Sequence, residues 1–144
     1  MYFTGKHPQK LDAKGRLTIP ASFRDALSDG LYITLDFTDC LLIFPRTKLE
    51  SKMDKLEDLP NSNKALTAYR DKVIFNAQLS SLDSMGRVLI PAVLREEAKI
   101  NQDVFVVGDI SVIRIFTPEN WENREELRKN IPVELLDELS QFGM

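Results

Sequence analysis

The chain has 144 residues, 43% of them hydrophobic and 28% charged, with a formal net charge of −3 at pH 7. That balance excludes a disordered or low-complexity chain, because enough apolar surface is present to build a core. A single cysteine, Cys40, and a single histidine, His7, exclude an internal disulfide and leave too few ligands for a four-coordinate structural zinc site. No apolar run reaches the roughly 18 residues of a membrane-spanning helix. Residues 1–6 carry no signal-peptide core, so the expectation is a cytoplasmic chain with no membrane partner.

In chain order, the pattern predicts a strand near residues 2–11 and a turn over Asp12–Arg16, with Gly15 where a positive φ is cheap. Leu17-Thr18-Ile19 resumes the strand. Pro20 opens a short helix at its first position, with Phe23 and Leu27 on one face. Strands follow at 31–35 and 40–44 around a turn at 36–39. After Pro45 a helix carries Leu49, Met53 and Leu56, stops near 59–63, and a second helix reaches about Asp71. The pattern then restarts. The β-branched and aromatic Val73, Ile74 and Phe75 predict a strand near 73–82, and Asp83–Arg87 with Gly86 predicts a turn. A strand at 88–90, a helix opened by Pro91, and strands at 104–107 and 110–116 around Gly108-Asp109 complete the second unit. Thr117-Pro118-Glu119 is an N-cap signature for a helix containing Trp121, and Pro132 starts a last helix with Leu135, Leu136 and Leu139.

The restart is a repeat. Residues 11–27, LDAKGRLTIPASFRDAL, match residues 82–98, LDSMGRVLIPAVLREEA, at eight of 17 positions with an offset of 71. The likeness continues more weakly: Leu42-Ile43-Phe44-Pro45 parallels Arg114-Ile115-Phe116-Thr117-Pro118. The expected organisation is a first repeat at 5–47, a helical linker at 48–75, a second repeat at 76–119 and a helical tail at 120–144. Units of about 45 residues rarely bury enough surface to fold alone, so the two should share one pseudo-symmetric core.

Catalysis finds no support in these residues. His7 precedes Pro8 in a segment expected to be exposed and has no nucleophile beside it, while Cys40 sits in an apolar run that reads as buried and structural. No phosphate-binding loop, dinucleotide fingerprint or paired-histidine metal motif is present, so neither a catalytic residue, a metal nor a cofactor is expected. The charge distribution is more informative. Residues 1–24 hold Lys6, Lys10, Lys14, Arg16 and Arg24 against Asp12 alone, whereas 119–144 hold seven acidic residues against Arg124, Arg128 and Lys129. A basic face carrying an arginine on a turn suits phosphates and guanine edges. The repeated turn also has a purely structural use, in which Asp12 accepts hydrogen bonds from turn amides and pairs with Arg16.

The block Leu11-Asp12-Ala13-Lys14-Gly15-Arg16-Leu17-Thr18-Ile19-Pro20 with Phe23-Arg24, and its copy from Leu82 to Pro91 with Leu94-Arg95, resembles the MraZ family of bacterial transcriptional regulators. The opening Phe3-x-Gly5, the repeat spacing and the acidic tail extend the resemblance over the whole chain. It implies an α+β fold: a pseudo-two-fold β-barrel of two tandem swapped-hairpin repeats, similar to AbrB-type proteins, with flanking helices. It also implies a ring-shaped homo-oligomer, associated with the nucleoid, that binds direct repeats of double-stranded DNA in the promoter of its own division and cell-wall operon. The family's Asp-x-x-x-Arg hallmark maps onto Asp12 with Arg16 and Asp83 with Arg87. Arg16 and Arg87 would contact guanine or phosphate, Asp12 and Asp83 would orient them, and Gly15 and Gly86 would let the turns approach. Lys6, Lys10 and Lys14 would hold phosphates, with Arg24 and Arg95 as either DNA contacts or solvated helix charges. Met85 replaces Lys14 in the second copy, so the halves need not contact DNA equally. No small-molecule substrate is implied. The competing reading is an oligomeric scaffold without DNA affinity, using the Asp–Arg pairs as subunit bridges.

Overall fold

The computed structural model describes residues 2–38 and 40–144. The first half contains strands β1 (Lys6–Lys10) and β2 (Arg16–Thr18), then helix α1 (Ala21–Arg24), which tightens into a 3-10 turn at Asp25–Leu27. A hairpin of β3 (Leu31–Leu35) and β4 (Leu41–Pro45) follows, with helices α2 (Arg46–Glu57) and α3 (Lys64–Tyr69) after it. The second half repeats the order: β5 (Gln78–Ser80), β6 (Arg87–Leu89), α4 (Ala92–Glu97), then a hairpin of β7 (Asp103–Asp109) and β8 (Val112–Phe116). Helices α5 (Pro118–Arg128) and α6 (Val133–Leu139) follow, and α6 runs into a 3-10 turn at Ser140–Phe142. Thr117 caps α5 through its side-chain oxygen, which accepts from the Asn120 N–H at 3.1 Å.

The strands form one antiparallel six-stranded sheet in the order β1-β7-β8-β4-β3-β5, and β2 pairs with β6 as a separate ribbon. The two halves exchange their first strands: β1 pairs with β7, and β5 with β3. Each half therefore completes the other's sheet. The closed barrel implied by the resemblance is not formed, because β1 and β5 lie at opposite edges and the β2–β6 ribbon pairs with itself instead of bridging them.

The pairing register locates the pseudo-two-fold axis. In the ribbon Leu17 stands opposite Val88, its own repeat equivalent; in the sheet Leu42 stands opposite Arg114, again its equivalent. The axis passes through both pairs. Leu17, Val88, Ile19 and Ile90 are all buried beneath the ribbon, joined by Phe23 and Leu94 from α1 and α4. Burying a side chain of this size contributes about 1.5–3 kcal/mol, so the core holds the ribbon's inner face firmly. Strand β4 is buried on both faces because α2 lays Leu49 over Leu42 and Phe44 in a second cluster.

Local departures from the sequence pattern have tertiary causes. Val73–Phe75 are not a strand: the chain winds through a wide π-type turn at Arg70–Ile74, and the first pairing residue is Gln78. Val73 is buried beside Leu49, and its carbonyl accepts a 2.5 Å hydrogen bond from the buried Thr34 hydroxyl, so packing overrides β propensity. The first strand begins only at Lys6, since Gly5 has φ +88°, and Phe3 bridges separately to Ile110. Ile110, at φ +63°, is part of the turn, which moves the start of β8 to Val112. At the expected 36–39 turn, Asp36 Oδ1 accepts from the N–H groups of Thr38 and Cys40; Asp39 itself lies outside the described residues. His7, expected to be exposed, is half-buried, with its ring edge-on to Phe23 at 5.2 Å.

Candidate nucleic-acid interface

Two-residue alternation along β2 and β6 turns Leu17 and Val88 inward and leaves Arg16, Thr18, Arg87 and Leu89 on the ribbon's outer face. Each arginine is held by the aspartate that opens its turn. Asp12 Oδ1 accepts from the N–H groups of Lys14 at 3.0 Å and Arg16 at 2.9 Å, and Asp12 Oδ2 accepts from Arg16 Nε at 2.7 Å. Asp83 repeats the pattern with Met85 N–H, Arg87 N–H and Arg87 Nε at 2.9, 2.8 and 2.9 Å. The Arg16 backbone N–H, foremost, holds the Asp12 carboxyl below its ordinary value, and the Arg87 N–H does the same for Asp83. Gly15 and Gly86 close the turns at φ +81° and +75°, a region that costs other residues about 1–2 kcal/mol.

Fixing a guanidinium through Nε leaves its two terminal amino groups available as a fork of donors. Among the described residues, neither terminal group of Arg16 or Arg87 has a hydrogen-bond partner, and their side chains are 32% and 29% exposed. The arrangement matches a planar acceptor pair such as guanine O6/N7 or two phosphate oxygens.

The helix arginines do something the sequence pattern does not reveal. Arg24 Nε donates to the Ile19 carbonyl at 2.9 Å, and Arg95 Nε to the Ile90 carbonyl at 3.0 Å. Each guanidinium also lies against the turn glycine of the opposite repeat: Arg95 over Gly15, Arg24 over Gly86. A Cβ on Gly15 would stand 2.8 Å from Arg95 Cζ, and one on Gly86 would clash harder with Arg24. So each turn combines an Asp–Arg pair from one repeat with an arginine clamp from the other. The sequence shows only that Arg24 and Arg95 are repeat equivalents, each nine residues after the glycine of its own turn.

Turn one carries Lys14 and Arg16 with Arg95 against its glycine, while turn two carries Arg87 with Arg24 against its glycine. The remaining basic candidates sit on β1. Lys6 Nζ lies over the rings of Trp121 and Phe105, at 4.9 and 5.1 Å from their centroids, and Lys10 faces Asp103 at 3.8 Å. These lysines are engaged along the β1–β7 edge and do not join the arginine cluster. Cys40 is buried, donates to the Ile115 carbonyl at 3.0 Å, and its thiol is pushed up to about 12 by that burial. Among the described residues no group of three or more His, Cys, Asp or Glu could hold a metal ion, and no helix is long and apolar enough to cross a membrane.

A family model described as "MraZ protein, putative antitoxin-like" matches residues 2–72 and again 73–138. The chain belongs to the MraZ family. Proteins named Transcriptional regulator MraZ are similar to it along most of its length. The one from Saccharopolyspora erythraea is 38% identical over 120 residues, covering 83% of this chain and 84% of the relative. Those from Lachnoclostridium phytofermentans and Oenococcus oeni are 32% and 33% identical, each over 142 residues and 99% of this chain, covering 98% and 99% of the relative respectively. The tandem match of the MraZ model divides the chain at 72/73, between the two copies of the strand-exchanged unit.

Proposed function

We propose that this chain is a sequence-specific DNA-binding transcription regulator that reads duplex DNA through the outer face of the β2–β6 ribbon. The observation that carries the reading is the pair of aspartate-held arginines on one exposed ribbon face, their terminal amino groups unoccupied, in a chain whose relatives are named transcriptional regulators. A two-stranded ribbon fits the major groove, and a pre-oriented guanidinium loses little freedom on meeting guanine O6/N7. Asp12 and Asp83 orient the forks and stay off the phosphates, which would repel them. Lys14 supplies a phosphate contact, and Arg24 and Arg95 brace the turns beside it. The exchange of β1 and β5 between halves supports kinship with AbrB-type swapped hairpins.

The regulator acts as a ring of identical subunits on direct repeats in the promoter of its own division and cell-wall operon, and works at the nucleoid. The family resemblance and the tail support this: Leu127, Val133, Leu135, Leu136 and Phe142 are exposed in the single chain, an arrangement that favours contact with further copies. Head-to-tail subunits present their ribbons in the same sense, which suits direct repeats spaced about one helical turn, roughly 10 bp.

The test is anisotropy on a duplex carrying the region upstream of the chain's own gene, titrated at several salt concentrations. Affinity should fall linearly with the logarithm of salt. Inserting about half a helical turn between two repeats should lower it by one to several powers of ten, because linked sites lose their effective concentration. Ring formation with no duplex affinity would replace this reading with the scaffold.

A further inference from the structure

Granting that the ribbon faces the major groove, its two halves do not offer the same chemistry. Register places Arg16 opposite Leu89 and Thr18 opposite Arg87. Ile90 N–H bonds to the Gly15 carbonyl and Ile19 N–H to the Gly86 carbonyl, so the pairs one step inside, 16/89 and 18/87, are the non-hydrogen-bonded pairs of the ladder. In such pairs the Cα atoms approach to about 4.5 Å and the side chains are closest neighbours. Arg16 therefore has Leu89 beside it, and Arg87 has Thr18.

A ribbon with true two-fold symmetry would read a site equally well in either direction. This one exchanges a polar for an apolar residue at three equivalent exposed or half-buried positions: Lys14, Thr18 and Ser22 in repeat one correspond to Met85, Leu89 and Val93 in repeat two. The three apolar residues are 64%, 54% and 61% exposed. Among the described residues Leu89 joins neither buried apolar cluster, although the face it shares otherwise carries two arginines and a threonine. Phosphate offers it nothing. The thymine 5-methyl group is the apolar feature of the major-groove edge.

We infer that Leu89 packs against a thymine 5-methyl group at the base pair adjoining the guanine met by Arg16, and that this contact gives each subunit one orientation on a non-palindromic repeat. The scale fits: base pairs succeed one another every 3.4 Å or so, and the two Cβ atoms stand about 4.5–5.5 Å apart, so the side chains address neighbouring base pairs. Thr18, with a methyl and a hydroxyl, accepts a wider range of bases beside Arg87.

The experiment replaces, one at a time, each thymine of the repeat by deoxyuridine, which keeps the Watson–Crick edge and lacks the methyl, and measures anisotropy with wild type and Leu89→Gln. For wild type, one replacement per repeat, next to an essential guanine, should weaken binding about fourfold, the equivalent of one buried methyl group. Leu89→Gln should lose about as much on the thymine duplex and become indifferent to that replacement. Because Leu89 is exposed, the variant should melt with wild type, and circular dichroism checks this. Wild-type indifference to every replacement would overturn the inference and leave the DNA reading standing. An undiminished deoxyuridine penalty in Leu89→Gln would assign the methyl contact to another residue and overturn it too. Absence of salt-sensitive binding to any duplex would remove the DNA reading and the inference together.

Discussion

Repeat one and repeat two share a backbone plan and a buried face, yet diverge on the surface they turn outward. Inside, Leu17 faces Val88 and Phe23 is matched by Leu94, substitutions that preserve apolar volume about the pseudo-two-fold axis. Outside, turn one adds Lys14 to its arginines, whereas turn two carries Met85 and is followed by the exposed Leu89 and Val93. The difference separates two kinds of constraint. Positions that hold the halves together keep their character in both copies; exposed positions are free to diverge once the copies are joined in one chain.

The largest test of this comparison concerns independence. Strand exchange leaves each half incomplete, so a fragment ending near residue 72, which loses β5 from β3 and β6 from β2, should show no cooperative unfolding as a monomer in thermal denaturation. A monomeric fragment that melts cooperatively at the full chain's temperature would show that the halves fold separately.

Next come the arginine clamps. Arg24→Ala and Arg95→Ala each leave a carbonyl, of Ile19 or Ile90, without its charged donor, and each should cost about 1.5–3 kcal/mol in urea unfolding. Lysine at either position should not restore the loss, because it lacks the planar fork. A cost below about 0.5 kcal/mol would return these residues to the class of solvated helix charges. The glycines sharpen the same point: Gly15→Ala and Gly86→Ala should each lose about 1–2 kcal/mol from the left-handed backbone alone, with Gly86 the more sensitive because Arg24 lies closer than Arg95. The reverse order, read from melting temperatures, would break that ranking.

Smaller still is the exchange of the turn residues. Lys14→Met should reduce the slope of log affinity against log salt by about 0.9, the signature of one lost phosphate contact, and Met85→Lys should raise it by a similar amount. Equal slopes in all three proteins would show that Lys14 makes no such contact. The smallest expected effect is that of pH. Asp12 and Asp83 are held below the ordinary carboxylate value, so their turn bonds are fully present above that value and are lost only as pH falls through the lowered one. Between about pH 5 and pH 8 at fixed salt, neither carboxylate should change DNA affinity; a step in that window that disappears in Asp12→Asn would contradict the assignment.

Much of this architecture is legible in the residues. The duplicated block, the two glycine turns, the prolines that open α1 and α4, and the Thr117 cap all act locally, so the sequence carries them. Val73–Phe75 mislead because their β propensity competes with burial beside Leu49 and with the bond from Thr34, neither of which is local. The open sheet escapes detection for a similar reason: periodicity says which residues face inward and nothing about which edge meets which. At the site, Asp12 with Arg16 and Asp83 with Arg87 are visible as a repeated spacing. Arg24 against Gly86 and Arg95 against Gly15 are contacts between halves, and no window along the chain contains both partners.

The central claim, that the two outward forks of the ribbon hold DNA, is tested most directly by anisotropy of wild type, Arg16→Ala, Arg87→Ala and the double variant on one operator duplex. Each single substitution should weaken binding by about 1–3 kcal/mol, with Arg16 the larger because Lys14 and Arg95 flank its turn, and the double variant should retain only salt-sensitive non-specific affinity. Stability should fall by about 1 kcal/mol or less, since each Asp–Arg pair is partly open to solvent and its aspartate keeps two backbone N–H donors. Wild-type affinity in a folded double variant would contradict the account.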